Sequence, residues 1–287
     1  MDTTMARIAL ITASTASLPP QIISRYNIHI IPFTVQFIDG NYRDDGTMTQ
    51  TEFYARLQRA EVVPTTAPMS VAHFIQYFER EHLDAEALIV FHGTSQTSKG
   101  YENAVQAAAR VPQRRIININ TRSFSMGIGL QIIAAAHAIH NGASVDDVVT
   151  LMDALAPRTL ALFSPESVRY LRMSGRVGRV PALAASLLGI HPLLGLGSDG
   201  AMEVLARPRS AEAARAMILE RIQQFVGTKR VRGLAVVHAN APEAAEQMQA
   251  TVAEIYPAAP IYVSDAGPIL AVHVGPGTLG LAVLRDD

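Results

Sequence analysis

The sequence predicts an α/β fold in two domains. The first is an N-terminal three-layer α/β/α domain with a mainly parallel sheet, and the second a C-terminal α/β domain with a mixed sheet. Three observations predict it. Apolar runs of strand length alternate with helical segments over roughly the first 150 residues, the pattern of consecutive βαβ units. Composition shifts near Pro157, after which the strand signals are shorter and closer together, leaving room for antiparallel pairs. The 287-residue length exceeds one ordinary core and suits two units of roughly 130–150 residues. The boundary is placed at 155, giving an N-terminal unit 1–155 and a C-terminal unit 156–287.

The elements follow in order. Residues 7–12 read as a first strand; the apolar run 8–11 is too short for the hydrophobic segment of a signal peptide. Pro19 and Pro20 open a short helix, since proline is favoured in a first helical turn. Residues 28–38 are extended, interrupted at Pro32 and alternating with period two from Phe33 to Phe37. Thr49 and Glu52 have capping-box spacing and start a helix over 52–59. Ser70 caps the next helix, whose apolar face is Val71, Phe74 and Phe78. A strand at 88–91 runs into Gly93-Thr-Ser-Gln-Thr-Ser-Lys-Gly100, and an amphipathic helix continues from Tyr101 to about Arg110. A strand at 115–119 and an Ala-rich helix over 125–140, stopped at Gly142, come next. Ser144 and Asp147 form a second capping box. Beyond the boundary, strands are read at 160–163, 202–206, 233–238, 261–263, 269–273 and 280–284, with helices at 210–226 and 242–255.

Composition narrows the function. A hydrophobic content of 49% marks a core-rich globular chain. No apolar run reaches the roughly 18–20 residues that span a bilayer; the richest, 182–196, is broken by His191 and Pro192. The absence of cysteine excludes a disulfide scaffold and thiolate metal sites, and it fits a cytoplasmic location. A net charge of −1 gives no electrostatic case for nucleic acid. The nine histidines are scattered, and His137 with His140 lack a third ligand, so no metal site is read. The expected ligand is small.

The loop 93–100 is the most informative segment. Hydroxyls and free backbone N–H groups stand at a helix N-terminus, where the helix dipole favours an anion, either carboxylate or phosphate. As a nucleotide P-loop it fails twice: Ser98 replaces the glycine before the lysine, and Gly100 replaces the Ser/Thr that would hold Mg²⁺. It also lacks the G-x-S-x-G of a nucleophile elbow. A plain capped turn is the ordinary alternative, but three hydroxyls and a lysine in six residues exceed what a cap needs. Gly275-Pro-Gly-Thr-Leu-Gly280 satisfies G-x-G-x-x-G, yet no helix follows to receive a pyrophosphate, so it is a glycine turn. His273, read at the end of a strand beside that turn, is placed to donate to an anion. Pro64-Thr-Thr-Ala-Pro68 presents Thr65 and Thr66 in a proline-bracketed loop. Arg172, Arg176 and Arg179 surround glycines, either as a solvated basic loop or as guanidinium groups reaching a crowded site. The apolar segments 181–188 and 190–196 are core or the wall of a lipophilic pocket.

Together these motifs resemble those of the DegV family. Ile11-Thr-Ala-Ser-Thr-Ala-Ser-Leu-Pro19 is similar to its opening T-D-S-T-A-D-L-P, Thr65-Thr-Ala-Pro68 to T-S-Q-P, and Thr94-Ser-Gln-Thr-Ser-Lys-Gly-Tyr101 to S-S-G-L-S-G-T-Y. Leu171-Arg-Met-Ser-Gly-Arg-Val177 resembles L-K-K-G-G-R-I and Ile190-His-Pro-Leu-Leu194 resembles I-K-P-I-L, while Asp199-Gly200 matches D-G and His273-Val-Gly-Pro-Gly277 matches H-x-G-P-G. They occur in family order from about residue 8 to 280. The resemblance implies a cytoplasmic bacterial protein that holds a long-chain, palmitate-like fatty acid in a tunnel between its two domains. It implies a carboxylate held by hydroxyls of Thr65, Thr66, Ser95 and Ser98, with Arg176 and His273 nearby. It further implies a lipid-presenting subunit of a fatty acid kinase, without catalytic residues, metal or cofactor of its own, whose separate partner subunit uses ATP. Ala13, Ser17, Lys99, Gly100 and His191 depart from the family pattern, as does Asn120-Thr121 where the family usually has Asp-Ser. Two other readings stand beside it. One is a phosphotransferase-like enzyme using loop 93–100 for a phosphate. The other is a surface-interaction protein that docks a partner through its basic segments 172–179 and 207–209.

Overall fold

The computed structural model describes residues 7–174 and 189–287. Strands β1 (Ile8–Ala13) and β2 (His29–Ile31) begin the N-terminal sheet. Two further strands, β6 (Ala87–His92) and β7 (Arg115–Asn120), complete it in the order β2-β1-β6-β7, all parallel. All six residues of β6 are buried, as a strand covered on both faces requires. Helices α3 (Val71–Arg80) and α4 (Gly100–Ala108) pack together, with α4 on β7, while α5 (Met126–His140) packs on β1 and β6 and against α6 (Val145–Leu155). Ser70 caps α3 by accepting from His73 N–H at 3.3 Å, and Ser144 with Asp147 closes a full capping box on α6.

Between β2 and β6 the chain builds a second, smaller sheet that the sequence did not reveal. Strands β3 (Thr34–Phe37), β4 (Gly40–Arg43) and β5 (Thr65–Ala67) pair antiparallel in the order β4-β3-β5, with Gln36 opposite Thr65 and Val35 opposite Thr66. Helix α2 (Gln50–Arg59) lies between β4 and β5 in sequence. The strand β5 has only three residues, framed by Pro64 and Pro68, so its extended backbone reads in sequence as a turn.

The C-terminal unit is a mixed six-stranded sheet in the order β10-β9-β8-β13-β11-β12. Its strands are β8 (Thr159–Ser164), β9 (Leu193–Leu196), β10 (Met202–Ala206), β11 (Val231–His238), β12 (Ile261–Asp265) and β13 (Leu279–Arg285). Only β11 and β12 pair in parallel. Helices α8 (Ala211–Val226) and α9 (Pro242–Ile255) pack on this sheet around Ile218, Ile222, Met248 and Val252. One expectation is corrected here. Residues 269–273 are not a strand but lie in a helix, α10 (Gly267–Val274), with Pro268 in its first turn. A short apolar run such as Ile269-Leu-Ala-Val272 has no period to separate helix from strand, and the proline at its start decides for the helix. The other α-helices among the described residues are α1 (Pro20–Arg25) and the short α7 (Arg169–Met173).

The two units share one core through α5. Residues Met126 to Ala136 are buried without a break, so this helix has no solvent face over that length. It touches β1 and β6 on the parallel sheet, and β8, β11 and β13 on the mixed one. Gln131, fully buried, donates through Nε2 to Thr121 O and Thr159 Oγ1, both at 3.1 Å. Gly127 is required by close packing: a Cβ there would collide with the Ser123 side chain and lie 3.1 Å from Ala161 Cβ. Ile132→Ala should cost about 2–5 kcal/mol, and urea unfolding followed by circular dichroism and tyrosine fluorescence should give coincident transitions. Separate transitions for the two sheets would show that α5 does not couple them.

Candidate functional site

The parallel strands β1, β6 and β7 end on one side of their sheet, where ligands bind in open α/β folds. The loop after β6 is anchored through Thr94, which is 2% exposed. Its N–H donates to Ser123 O at 2.9 Å and its hydroxyl to Gly200 O at 2.8 Å, so a loop of the first unit is tied to the β9–β10 turn of the second. Gly200 has φ +78°, and a Cβ there would stand 2.6 Å from Thr94 Oγ1. That is the physical reason for glycine in the Asp199-Gly200 pair.

Ser95, half-buried beside this anchor, accepts from Asn120 Nδ2 at 3.3 Å and keeps its own hydroxyl proton available to a ligand. Ser98 accepts Gly100 N–H at 3.2 Å and closes the turn into α4. Lys99 occupies the N-cap position of α4 with an exposed side chain and no side-chain cap bond. The neighbouring Gly100 is buried, and a Cβ on it would meet Phe33 Cζ at 3.1 Å. Phe33 therefore occupies the space that the family's threonine would need, which accounts for one of the departures from the pattern.

Two further candidates meet directly. Thr66 on β5 and His273 in the last turn of α10 are joined by a hydrogen bond between Oγ1 and Nε2 at 2.8 Å. Thr65 turns the other way, is exposed, and donates to Gln36 Oε1 at 3.1 Å. The connection between β5 and α3 is fastened to α4 by Asn103 Nδ2, which donates to Met69 O at 2.9 Å. Beyond His273, Gly275 (φ +80°) and Gly277 (φ +84°) reverse the chain; a Cβ on Gly275 would enter the Tyr170 ring, and one on Gly277 would lie 2.6 Å from Glu166 Cβ. The glycine turn thus serves close packing of α7 and its approach. Arg176 lies outside the described residues, as do Arg179 and the apolar segment 181–188. Arg172 is described and exposed on α7.

Several polar groups around this site had no clear signal in the sequence. His92, at the end of β6, is 5% exposed and donates from Nε2 to Asn118 Oδ1 at 2.9 Å. Burial lowers its pKa to about 4, against a smaller opposing effect of Asn118, so the imidazole is neutral. Asp265 ends β12 and accepts Gly267 N–H at 2.8 Å and the Tyr54 hydroxyl at 2.9 Å. Burial raises the pKa of Asp44, opposed by hydrogen bonds from Ser14 and the Ile269 backbone. A local cue existed only for Asp265: an aspartate two residues before a glycine and three before a proline marks a helix start.

A family model described as an uncharacterised protein of the DegV family matches residues 7–286. The chain belongs to the DegV family. A DegV domain-containing protein of Streptomyces coelicolor is 32% identical over 278 residues, covering 96% of this chain and 98% of its own. Among solved structures, a fatty-acid-binding DegV family protein from Thermus thermophilus matches with a TM-score of 0.89 and 26% identity, over 98% of this chain and 100% of that one. DegV of Bacillus subtilis, a fatty acid binding protein, matches with a TM-score of 0.90 and 25% identity, again over 98% and 100%. The mixed α/β architecture with a parallel and a mixed sheet is that of these DegV structures. Among the described residues, no helix is long and apolar enough to cross a membrane.

His92 gives this DegV protein a defined acid response. An unfolded histidine titrates near 6.5, so between about pH 6.5 and 4 the unfolded chain binds a proton that the folded one refuses. Its contribution to stability is complete above that window and falls by about 3 kcal/mol as pH drops through it. An NMR titration of the His92 imidazole should show a midpoint near 4; a midpoint near the ordinary histidine value would contradict its burial as a neutral donor.

Proposed function

We propose that this chain binds a long-chain fatty acid between the units 1–155 and 156–287, holding the carboxylate with Ser/Thr hydroxyls, an arginine and His273. The carrying observation is the Thr66–His273 hydrogen bond at 2.8 Å, which joins residues 207 apart in sequence, one from each unit. In this contact one group donates to the other, so an anion arriving between them replaces the bond and accepts from both the Thr66 hydroxyl and the His273 Nε2–H. In this reading Thr66 and Ser95 donate to the carboxylate, Ser98 borders it, Arg176 supplies the cation, and Thr65, turned outward onto Gln36, is left out of the clamp. The relatives from Thermus thermophilus and Bacillus subtilis are fatty-acid-binding proteins, which supports the choice of an acyl carboxylate as the anion.

The energetics divide the work. About fourteen buried methylenes of a palmitate-like chain contribute roughly 0.8 kcal/mol each, about 11 kcal/mol in gross terms. Each charge-assisted hydrogen bond contributes roughly 1.5–3 kcal/mol, offset by desolvation of the carboxylate. The acyl chain therefore supplies most of the affinity, and the polar cluster fixes which end enters. The chain binds and presents rather than catalyses, and an ATP-dependent kinase subunit phosphorylates the presented carboxylate. Arg207 and Arg209, exposed just beyond β10, form the proposed docking face for that subunit. The phosphotransferase reading is less well supported, because Gly100 stands where a Mg²⁺-binding hydroxyl would be needed and is packed against Phe33.

Native mass spectrometry of the purified chain should show an acyl ligand, and added palmitate should raise the melting temperature. Absence of both would end the lipid reading. Thr66→Val should weaken palmitate about tenfold, the size of one lost charge-assisted bond. Charge reversal at Arg207 and Arg209 should leave palmitate binding intact while abolishing capture of, and phosphorylation by, a fatty acid kinase subunit.

A further inference from the structure

Helix α10 belongs to the C-terminal unit, yet the groups that hold it belong largely to the N-terminal one. Its C-terminal end meets β5 through Thr66 and His273. Its N-terminal end meets α2 through the Tyr54 hydroxyl, which donates to Asp265 Oδ1 at 2.9 Å with Oδ2 at 3.1 Å. The same carboxylate accepts Gly267 N–H at 2.8 Å in the first turn of α10 and Asn240 N–H at 3.3 Å from the β11–α9 loop. Beside it, Ser17 Oγ donates to Ala266 O at 3.0 Å, and Asp44 takes the Ile269 amide and the Ser14 hydroxyl.

Asp265 is nearly fully enclosed, with 7% of its side chain exposed. His238 Nδ1 lies 3.6 Å away and is engaged by Ala241 N–H at 3.2 Å. The carboxylate is held by the Gly267 and Asn240 amides, the first of them at the start of α10, and by the Tyr54 hydroxyl. Tyr54 is the one side-chain donor among them that comes from α2, and it is itself buried. The helix that starts two residues after Asp265 and carries His273 in its last turn is eight residues, about 12 Å long. A rigid rod of that length transmits a shift at its first turn to the imidazole at its last.

We propose that Tyr54 and Asp265 are positioning residues for His273: their hydrogen bond ties α2 to the start of α10 and sets where the imidazole meets Thr66. Neither touches the ligand; they act through the helix. The inference deepens the fatty-acid reading and rests on it for the effect on affinity, but its first readout needs no ligand.

Tyr54→Phe removes one hydroxyl and leaves the ring in place. In the full-length, ligand-free chain it should shift the His273 imidazole resonances and the midpoint of their titration, and it should weaken palmitate about five- to tenfold. Asp265→Asn, which keeps an oxygen acceptor for Gly267 and Tyr54, should restore most of what Asp265→Ala loses. Tyr77→Phe is the control, because it removes a partly buried hydroxyl bonded to His82, far from α10 in the sequence and outside the elements on which α10 chiefly packs. It should lower the melting temperature comparably without moving the His273 signals. Unchanged His273 signals in Tyr54→Phe, or equal shifts in Tyr77→Phe, would overturn the proposal. Shifted His273 signals in a chain that binds no palmitate would instead refute the lipid reading and leave the positioning role standing.

Discussion

Everything in this molecule is arranged around a helix that cannot face water. From Met126 to Ala136 the helix α5 buries every residue, so it must be covered on all sides. The parallel sheet covers one side through β1 and β6, and the mixed sheet another through β8, β11 and β13. Side chains from both sheets, such as Ile11 and Phe91 with Val237 and Leu284, then fall into one continuous core. Two units that the chain lays down in succession are thereby fixed against each other by apolar packing, the strongest and least adjustable constraint available.

That constraint makes a site shared between the units possible. Once the sheets are locked, the end of β6 presents its loop to the turn between β9 and β10, and Thr94 can hold Gly200. The small antiparallel sheet brings Thr66 to α10 in the same way. Each of these contacts contributes little alone, since a net hydrogen bond is worth about 1 kcal/mol. Their value lies in alignment: groups separated by a hundred or more residues are held at bonding distance without a mobile linker between them. Neutral His92 beneath the loop follows the same logic, since a charged imidazole at that depth would have no counter-ion.

Legibility in the sequence followed a physical rule. Elements with their own internal signals were readable: Ser70 and Ser144 caps, the buried β6, the Ala-rich α5, and the long α8 and α9. Elements that exist only because something else holds them were not. The strand β5 has three residues and is extended because β3 pairs with it; the apolar segment 190–196 reads in sequence as core or pocket wall, and only its pairing with β8 and β10 makes part of it the strand β9. The segment carrying His273 was read as a strand because its apolar run is too short to show a period.

The site divides in the same way. The residue types at 65–66, 94–98 and 273 were legible as hydroxyls and an imidazole beside helix starts and glycine turns, and their order along the chain matched the DegV family, which residues 7–286 confirm. Sequence alone therefore determined the family, the α/β class and the identity of the polar groups, because these depend on local composition and spacing. Only the tertiary structure decided which groups meet. It set Thr66 against His273 and turned Thr65 outward, because adjacent residues of a strand face opposite sides. It explained Gly100 by the Phe33 ring and gathered Tyr54, Asp44 and Asp265 at the head of α10. Such encounters bring together residues 67 to 225 positions apart, and no local pattern carries that information.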